Sequence, residues 1–155
     1  MARIRRTDLP SGFFHVTANS IPEAMLFRDD RDRLLFVLHL GRAVRRAGLT
    51  LHACCVMGTH YHVVVEGSPG QLSRAFHWLN SHYAREYNAR HGRRGSLLSE
   101  RFASWVIQDE DHLEATIEYV LANPVHAGLV DRPEDWPWSG RTEPNRTLVR
   151  TRTHG

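Results

Sequence analysis

Lysine is missing from this chain: all twenty basic residues among its 155 are arginine. Long apolar runs are missing as well. No stretch approaches the ~20 consecutive apolar residues that a bilayer-crossing helix needs, so no membrane partner is expected. Cysteine is scarce. Cys54 and Cys55 are adjacent in a strand-like segment, where neighbouring side chains point to opposite faces. Neither a disulfide between them nor a shared metal site is expected, and the reducing cytoplasm is the expected compartment. The opening MARIRRTDLP is basic with no apolar stretch behind it, so no secretory signal is expected. Internal repeats and linkers are also absent.

What is present describes one globular domain, with 41% hydrophobic and 24% charged residues and length enough for a core without staples. The expected boundaries are one domain over 1–140 and a polar, flexible tail over 141–155. The formal net charge is only +3, but the arginines bunch: Arg3, Arg5, Arg6; Arg42, Arg45, Arg46; Arg90, Arg93, Arg94; and Arg141, Arg146, Arg150, Arg152 along the tail. An all-arginine chain is what a GC-rich coding sequence gives. The forked guanidinium also suits phosphate oxygens, so a nucleic-acid partner is expected on the charge pattern.

Residues 13–19, FFHVTAN, read as a first strand. Leu34, Val37, Leu38, Leu40 and Val44 recur at helical spacing between Asp29 and Ala47, with Asp29 or Asp30 to cap the start and Gly48 to stop it. Residues 51–57 and 60–66 read as strands of a hairpin around Gly58-Thr59. A second helix opens at Ser68-Pro69-Gly70 and carries Leu72, Phe76, Leu79, Tyr83 and Tyr87 as one stripe. The basic loop HGRRGS precedes a fourth strand over 101–108. A third helix is expected from Asp109 to Ala122, ended by Asn123-Pro124 because the residue before proline is pushed out of the helical region. The order β-α-β-β-α-β-α predicts an α+β fold: a ferredoxin-like or RRM-like antiparallel sheet, helices on one face, the other face free for ligand, and an additional helix after the fourth strand.

Two readings of residues point to a site. In GTHYHVVVE, residues 58–66, His60 and His62 project from the same side of a strand, roughly 7 Å apart at the backbone. That spacing lets two imidazoles converge on one ion or phosphate; it also suits two solvated histidines at the start of a strand. On the third helix, whose apolar stripe is Leu113, Ile117, Val120 and Leu121, Tyr119 lies roughly 145° from the stripe's centre at about 100° per residue. His112, Thr116 and Asn123 share its side, and Asn123 is one turn further on. Two imidazoles and an amide oxygen can hold a divalent cation with open positions, and a phenol beside it can attack a phosphodiester. The bland alternatives are an exposed tyrosine and a helix-ending asparagine. Tyr61, Tyr83 and Tyr87 read as structural, and Trp78, Trp136 and Trp138 as core or lid.

GTHYHVVVEG, then LSRAFHWLNSHYAREYNARHGRRGSLLSERF, then IEYVLANPVHAGLV and PEDWPWSG occur in this order over about residues 5 to 140. Together they resemble the REP-associated, single-tyrosine transposase-like proteins of the wider HUH endonuclease group. The resemblance implies a ferredoxin-like fold, a divalent metal (Mg²⁺ or Mn²⁺) and cleavage of single-stranded DNA beside a hairpin. It implies that His60 and His62 are the HUH histidines and that Tyr119 is the nucleophile, taking the 5′-phosphate and freeing a 3′-hydroxyl. Asn123 would complete the metal site. Thr59 stands where many relatives carry asparagine, and Glu100 stands where a neutral residue is expected.

The expected DNA contacts are Arg3, Arg5 and Arg6 of the N-terminal arm, Arg90, Arg93, Arg94 and Arg101 for phosphates, and Trp105 for an unpaired base. The partner is then single-stranded or hairpin DNA, bound by a monomer or homodimer that is nucleoid-associated when on DNA. Two other functions fit the same elements. One is an RRM-like module that grips single strands without cutting them. The other is a metal-dependent hydrolase, for which the available carboxylate, Glu66, sits at the far end of the histidine strand.

Overall fold

The computed structural model describes residues 11–99 and 101–142 and the backbone of 149 and 150. Arg3, Arg5, Arg6, Arg146 and Arg152 lie outside these, so the expected contacts of the N-terminal arm do too.

Local chemistry sets the elements. Strand β1 spans Gly12–Asn19, β2 Thr50–Val56, β3 His60–Gly67 and β4 Ala103–Ile107. Helix α1, Asp30–Ala47, starts where the Asp29 side chain accepts the Asp32 N–H and stops at Gly48, whose φ of 74° suits a residue without Cβ. Helix α2, Pro69–His91, starts at a reciprocal cap: the Ser68 hydroxyl accepts the Gln71 N–H and the Gln71 side chain accepts the Ser68 N–H. Helix α3 spans Glu110–His126, a single 3₁₀ turn spans Pro133–Asp135, and two short strands follow, β5 at Ser139–Arg141 and β6 at Val149–Arg150.

The sheet is antiparallel, in the order β4-β1-β3-β2-β5-β6. The β4-β1-β3-β2 part with α1 and α2 is the ferredoxin-like arrangement expected from the element order. Helices α1 and α2 cover one face. Phe14, Val16, Ala18, Cys54, Val56, Tyr61, Val63 and Val65 point into that layer against Phe36, Leu40, Leu72, Phe76, Leu79, Tyr83 and Tyr87. The two faces use alternate strand positions, so Cys54 and Cys55 lie in different layers, as expected of neighbours, and both are free thiols.

The opposite face is not wholly open. Helix α3 lies on it, packing Leu113, Ile117 and Val120 on Ala53, Cys55, Met57, Val64 and Ile107. This explains the valine run: Val63, Val64 and Val65 are all fully buried because β3 is covered on both sides. The free face of the expectation therefore shrinks to the part that α3 leaves uncovered, at the ends of β1 and β3.

One boundary differs from expectation. The third helix does not end at Asn123; it runs through Pro124 to His126. Pro124 has no N–H for the Val120 carbonyl, but the Asn123 Nδ2 donates to that oxygen at 3.4 Å and to the Tyr119 oxygen at 3.0 Å. The side chain replaces part of what proline removes. Past residue 140, Arg141 belongs to β5, paired with Ala53 of β2, and Val149 and Arg150 form β6. Strands of three and two residues show no alternation to read; pairing alone makes them.

Candidate active site

Pairing between β1 and β3 sets the site. Asn19 lies opposite His60 and Thr17 opposite His62, which places His15 diagonally beside His62 on the same face. Strand β4 pairs on the other side of β1, with Trp105 opposite His15. Where α3 leaves this face, Tyr119 and Asn123 look onto the same strands. The result is a cleft of about 510 Å³ lined by His15, Thr17, Asn19, His60, His62, Trp105, Tyr119 and Asn123.

The cleft is aromatic and tightly coupled. The His60 and His62 rings stand nearly perpendicular, 5.1 Å apart at their centroids. Tyr119 lies edge-on to His62 and to His15, at 6.2 Å from each, and Trp105 is 5.5 Å from His15. Tyr119 is 53% and Trp105 54% exposed, so both rings remain accessible from solvent.

Hydrogen bonds hold both histidines of the pair by the same nitrogen. The His62 Nδ1 is 2.9 Å from the His15 Nε2, and the His60 Nδ1 is 3.1 Å from the Thr59 hydroxyl. In each ring Nε2 is therefore the nitrogen without a protein partner among the described residues. Burial lowers the pKa of His62 to about 3, helped by the neighbouring His15 and His60. Burial also lowers His60 and His15 from the usual histidine value. All three are then neutral near pH 7, with a lone pair on one ring nitrogen each.

Among the described residues no cluster of three or more His, Cys, Asp or Glu side chains is arranged to hold a metal ion. A cation here would need the Asn123 amide. Its Nδ2 is occupied by the helix carbonyls of Tyr119 and Val120, which leaves Oδ1 as the open atom. Two neutral imidazoles and one amide oxygen fit a divalent cation with open positions, and fit Mn²⁺ more readily than Mg²⁺.

The cleft thus brings together His60, His62, Tyr119, Asn123 and Trp105 of the residues singled out by sequence. It adds His15, which sequence reasoning missed. Strand β1 buries Phe14, Val16 and Ala18 on its helix-covered face, so His15 is on the other face. That signal is visible in the sequence, but it means nothing until β1 is paired with β3.

The arginines divide. Arg90 is not free for phosphate: its guanidinium bonds Asp29 through both Nη atoms and Asp32 at 2.6 Å, tying the end of α2 to the start of α1. Arg93 clamps its own loop, donating to Asn88 and to the Gly95 and Ser96 carbonyls. Among the described residues no hydrogen bond or ion pair engages Arg94 or Arg101, and Arg101 lines a second cleft with Ser73, His77, Asn80 and Phe102. His112 accepts the Gln108 N–H at the start of α3 and does not line the site. Glu66 is bound to His52 at 3.0 Å, at the other end of β3. Trp136 donates to the Val56 carbonyl and Trp138 to Asp30, closing segments rather than ligand surfaces.

Comparison of the whole structure with solved ones decides the fold. One neighbour is the structure of a REP-associated tyrosine transposase bound to a REP hairpin. It is similar with a TM-score of 0.67 at 20% identity, over 90% of this chain and 82% of that one. The chain has the fold of a REP-associated tyrosine transposase. A candidate transposase from Deinococcus radiodurans R1 is similar with a TM-score of 0.51 at 15% identity, over 79% of this chain and 97% of that one. No family model and no curated protein matches the chain in sequence. In this fold the cleft lies where β1, β3 and α3 meet, and no helix of the described residues is long and apolar enough to cross a membrane.

Proposed function

We propose that the chain is a metal-dependent single-stranded DNA endonuclease and strand transferase that acts beside hairpin DNA through Tyr119. One observation carries this reading: Tyr119 and Asn123 of α3 and His60 and His62 of β3 line a single cleft, with Tyr119 6.2 Å from the His62 ring. A protein that merely binds strands has no need of an accessible phenol against two neutral imidazoles. The shared fold with a transposase bound to a REP hairpin supports the choice of a hairpin-flanking substrate.

The roles follow from chemistry. His60, His62 and Asn123 would hold Mg²⁺ or Mn²⁺, which when bound polarises the scissile phosphate and offsets its charge. The Tyr119 Oη attacks phosphorus, the bond from phosphorus to the 3′ oxygen breaks, and that oxygen leaves as a 3′-hydroxyl after taking a proton. The phenol proton goes to water. The product is a 5′-phosphotyrosine that keeps the phosphodiester energy for rejoining. Arg94 and Arg101, with Arg3, Arg5 and Arg6, contribute phosphate contacts, and Trp105 stacks an unpaired base.

The test is a denaturing gel of wild type, Tyr119→Phe and His60→Ala with Mn²⁺ and end-labelled single-stranded hairpin DNA. A protein-sized adduct keeping only the 3′-side label, absent in both variants, is expected. Binding without adduct by wild type would make the protein a non-cleaving module, and nicked product from Tyr119→Phe would make it a hydrolase.

A further inference from the structure

We propose that His15 is a positioning residue for the metal-holding histidine: its Nε2, 2.9 Å from the His62 Nδ1, accepts the His62 proton and keeps the His62 Nε2 lone pair free. This rests on the metal reading above.

A neutral imidazole carries one proton, on either ring nitrogen. If it sits on the His62 Nε2, that nitrogen cannot ligate, and the Nδ1 faces another ring instead of an ion. A partner that only accepts at Nδ1 selects the useful tautomer, as carboxylates and carbonyls do for metal-bound histidines in general. Among the described residues no carboxylate or carbonyl takes that place. The partner is a second imidazole, whose proton must then be on its own Nδ1.

The setting holds the His15 ring in place. It is on β1, diagonal to His62, with rings 5.2 Å apart and inclined by only 25°. Trp105 lies beside it at 5.5 Å and Tyr119 stands edge-on at 6.2 Å. His15 therefore also joins the phenol to the histidine pair, so its loss would loosen the relation between nucleophile and ligand. His60 has a lighter version of the same device in the Thr59 hydroxyl.

The experiment uses the full chain and Mn²⁺ alone, with no DNA. Mn²⁺ affinity is measured for wild type, His15→Phe and His15→Gln, each checked by thermal melting. Phenylalanine keeps the ring contacts and cannot accept a proton; glutamine restores an acceptor oxygen. His15→Phe is expected to weaken Mn²⁺ binding by about 10–100-fold, with His15→Gln recovering most of it. Long-range ¹H–¹⁵N spectra of the wild type loaded with diamagnetic Mg²⁺ give a readout independent of any variant. They are expected to show the proton of His62 on Nδ1 and that of His15 on Nδ1. Equal Mn²⁺ affinity in wild type and His15→Phe, or a His62 proton on Nε2 in the loaded protein, overturns the role of His15 alone. Failure of the wild type to bind Mn²⁺ overturns the metal reading and this inference together.

Discussion

The Asp32 carboxylate is fully buried and receives three donors: Arg90 at 2.6 Å, His91 at 2.9 Å and the Arg28 backbone N–H at 2.9 Å. Replacing it by alanine strands the last two. Arg90 keeps its pair with Asp29, so the cost is that of the two stranded donors, about 1–3 kcal/mol each and about 2–6 kcal/mol together. Asp32→Ala is thus expected to lose about 2–6 kcal/mol, read by urea denaturation, and to melt roughly 4–24 °C lower at the usual conversion for a domain of this size. Arg90→Ala, read beside it, separates structure from DNA contact. A phosphate contact contributes about 0.7–0.9 to the slope of log affinity against log salt. Arg90→Ala is expected to lower the melting temperature and leave that slope unchanged. A wild-type melting curve for Asp32→Ala refutes the reasoning, as does an Arg90→Ala variant that melts normally but binds DNA with a shallower slope.

Acid stability should report the buried histidines. The folded pKa of His62 is about 3, below its unfolded value near 6.5, so between these pH values only the unfolded chain takes up that proton. Its contribution to stability is full above pH 6.5 and declines as pH falls toward 3, by at most about 1.4 kcal/mol per unit. His62→Phe is expected to flatten the dependence of the urea midpoint between pH 6.5 and 4.5; parallel curves would contradict this. Asn123→Ala removes both the amide donors to the Tyr119 and Val120 carbonyls and the open oxygen. It is expected to lose about 1 kcal/mol and Mn²⁺ binding together, whereas Asn123→Asp loses the stability and keeps the binding by titration. Trp105→Ala, at an exposed ring, is expected to change stability within about 0.5 kcal/mol. Its affinity for single-stranded DNA should fall by about 1–3 kcal/mol in a fluorescence titration.

Much of the molecule is legible in its amino-acid order. The stripe of Leu72, Phe76, Leu79, Tyr83 and Tyr87 marks α2 and its buried face, and the offset of Tyr119 from the α3 stripe marks a side chain that lies outside the core. Both are local periodicities, written within one element. The misses are not local. His15 gains meaning from a register between strands about fifty positions apart in sequence. Arg90 looks like a surface cation at the end of a basic helix until the buried Asp32 is folded against it. Asn123-Pro124 carries the signature of a helix end, which Asn123 itself offsets by turning its amide back onto the helix. The Ser139–Arg141 strand lacks any pattern and exists because β2 offers it an edge. Position in sequence indicates what each residue can do; pairing between elements decides what it does.

The central claim is that Tyr119 becomes covalently joined to DNA. Full-length protein is incubated with Mn²⁺ and single-stranded hairpin DNA, digested with protease and nuclease, and its peptides are mapped by mass spectrometry. The account predicts a nucleotide linked through its 5′-phosphate to the peptide containing Tyr119, with fragmentation locating it on that side chain. Cleaved DNA with no modified peptide, or a nucleotide on any other residue, would contradict it.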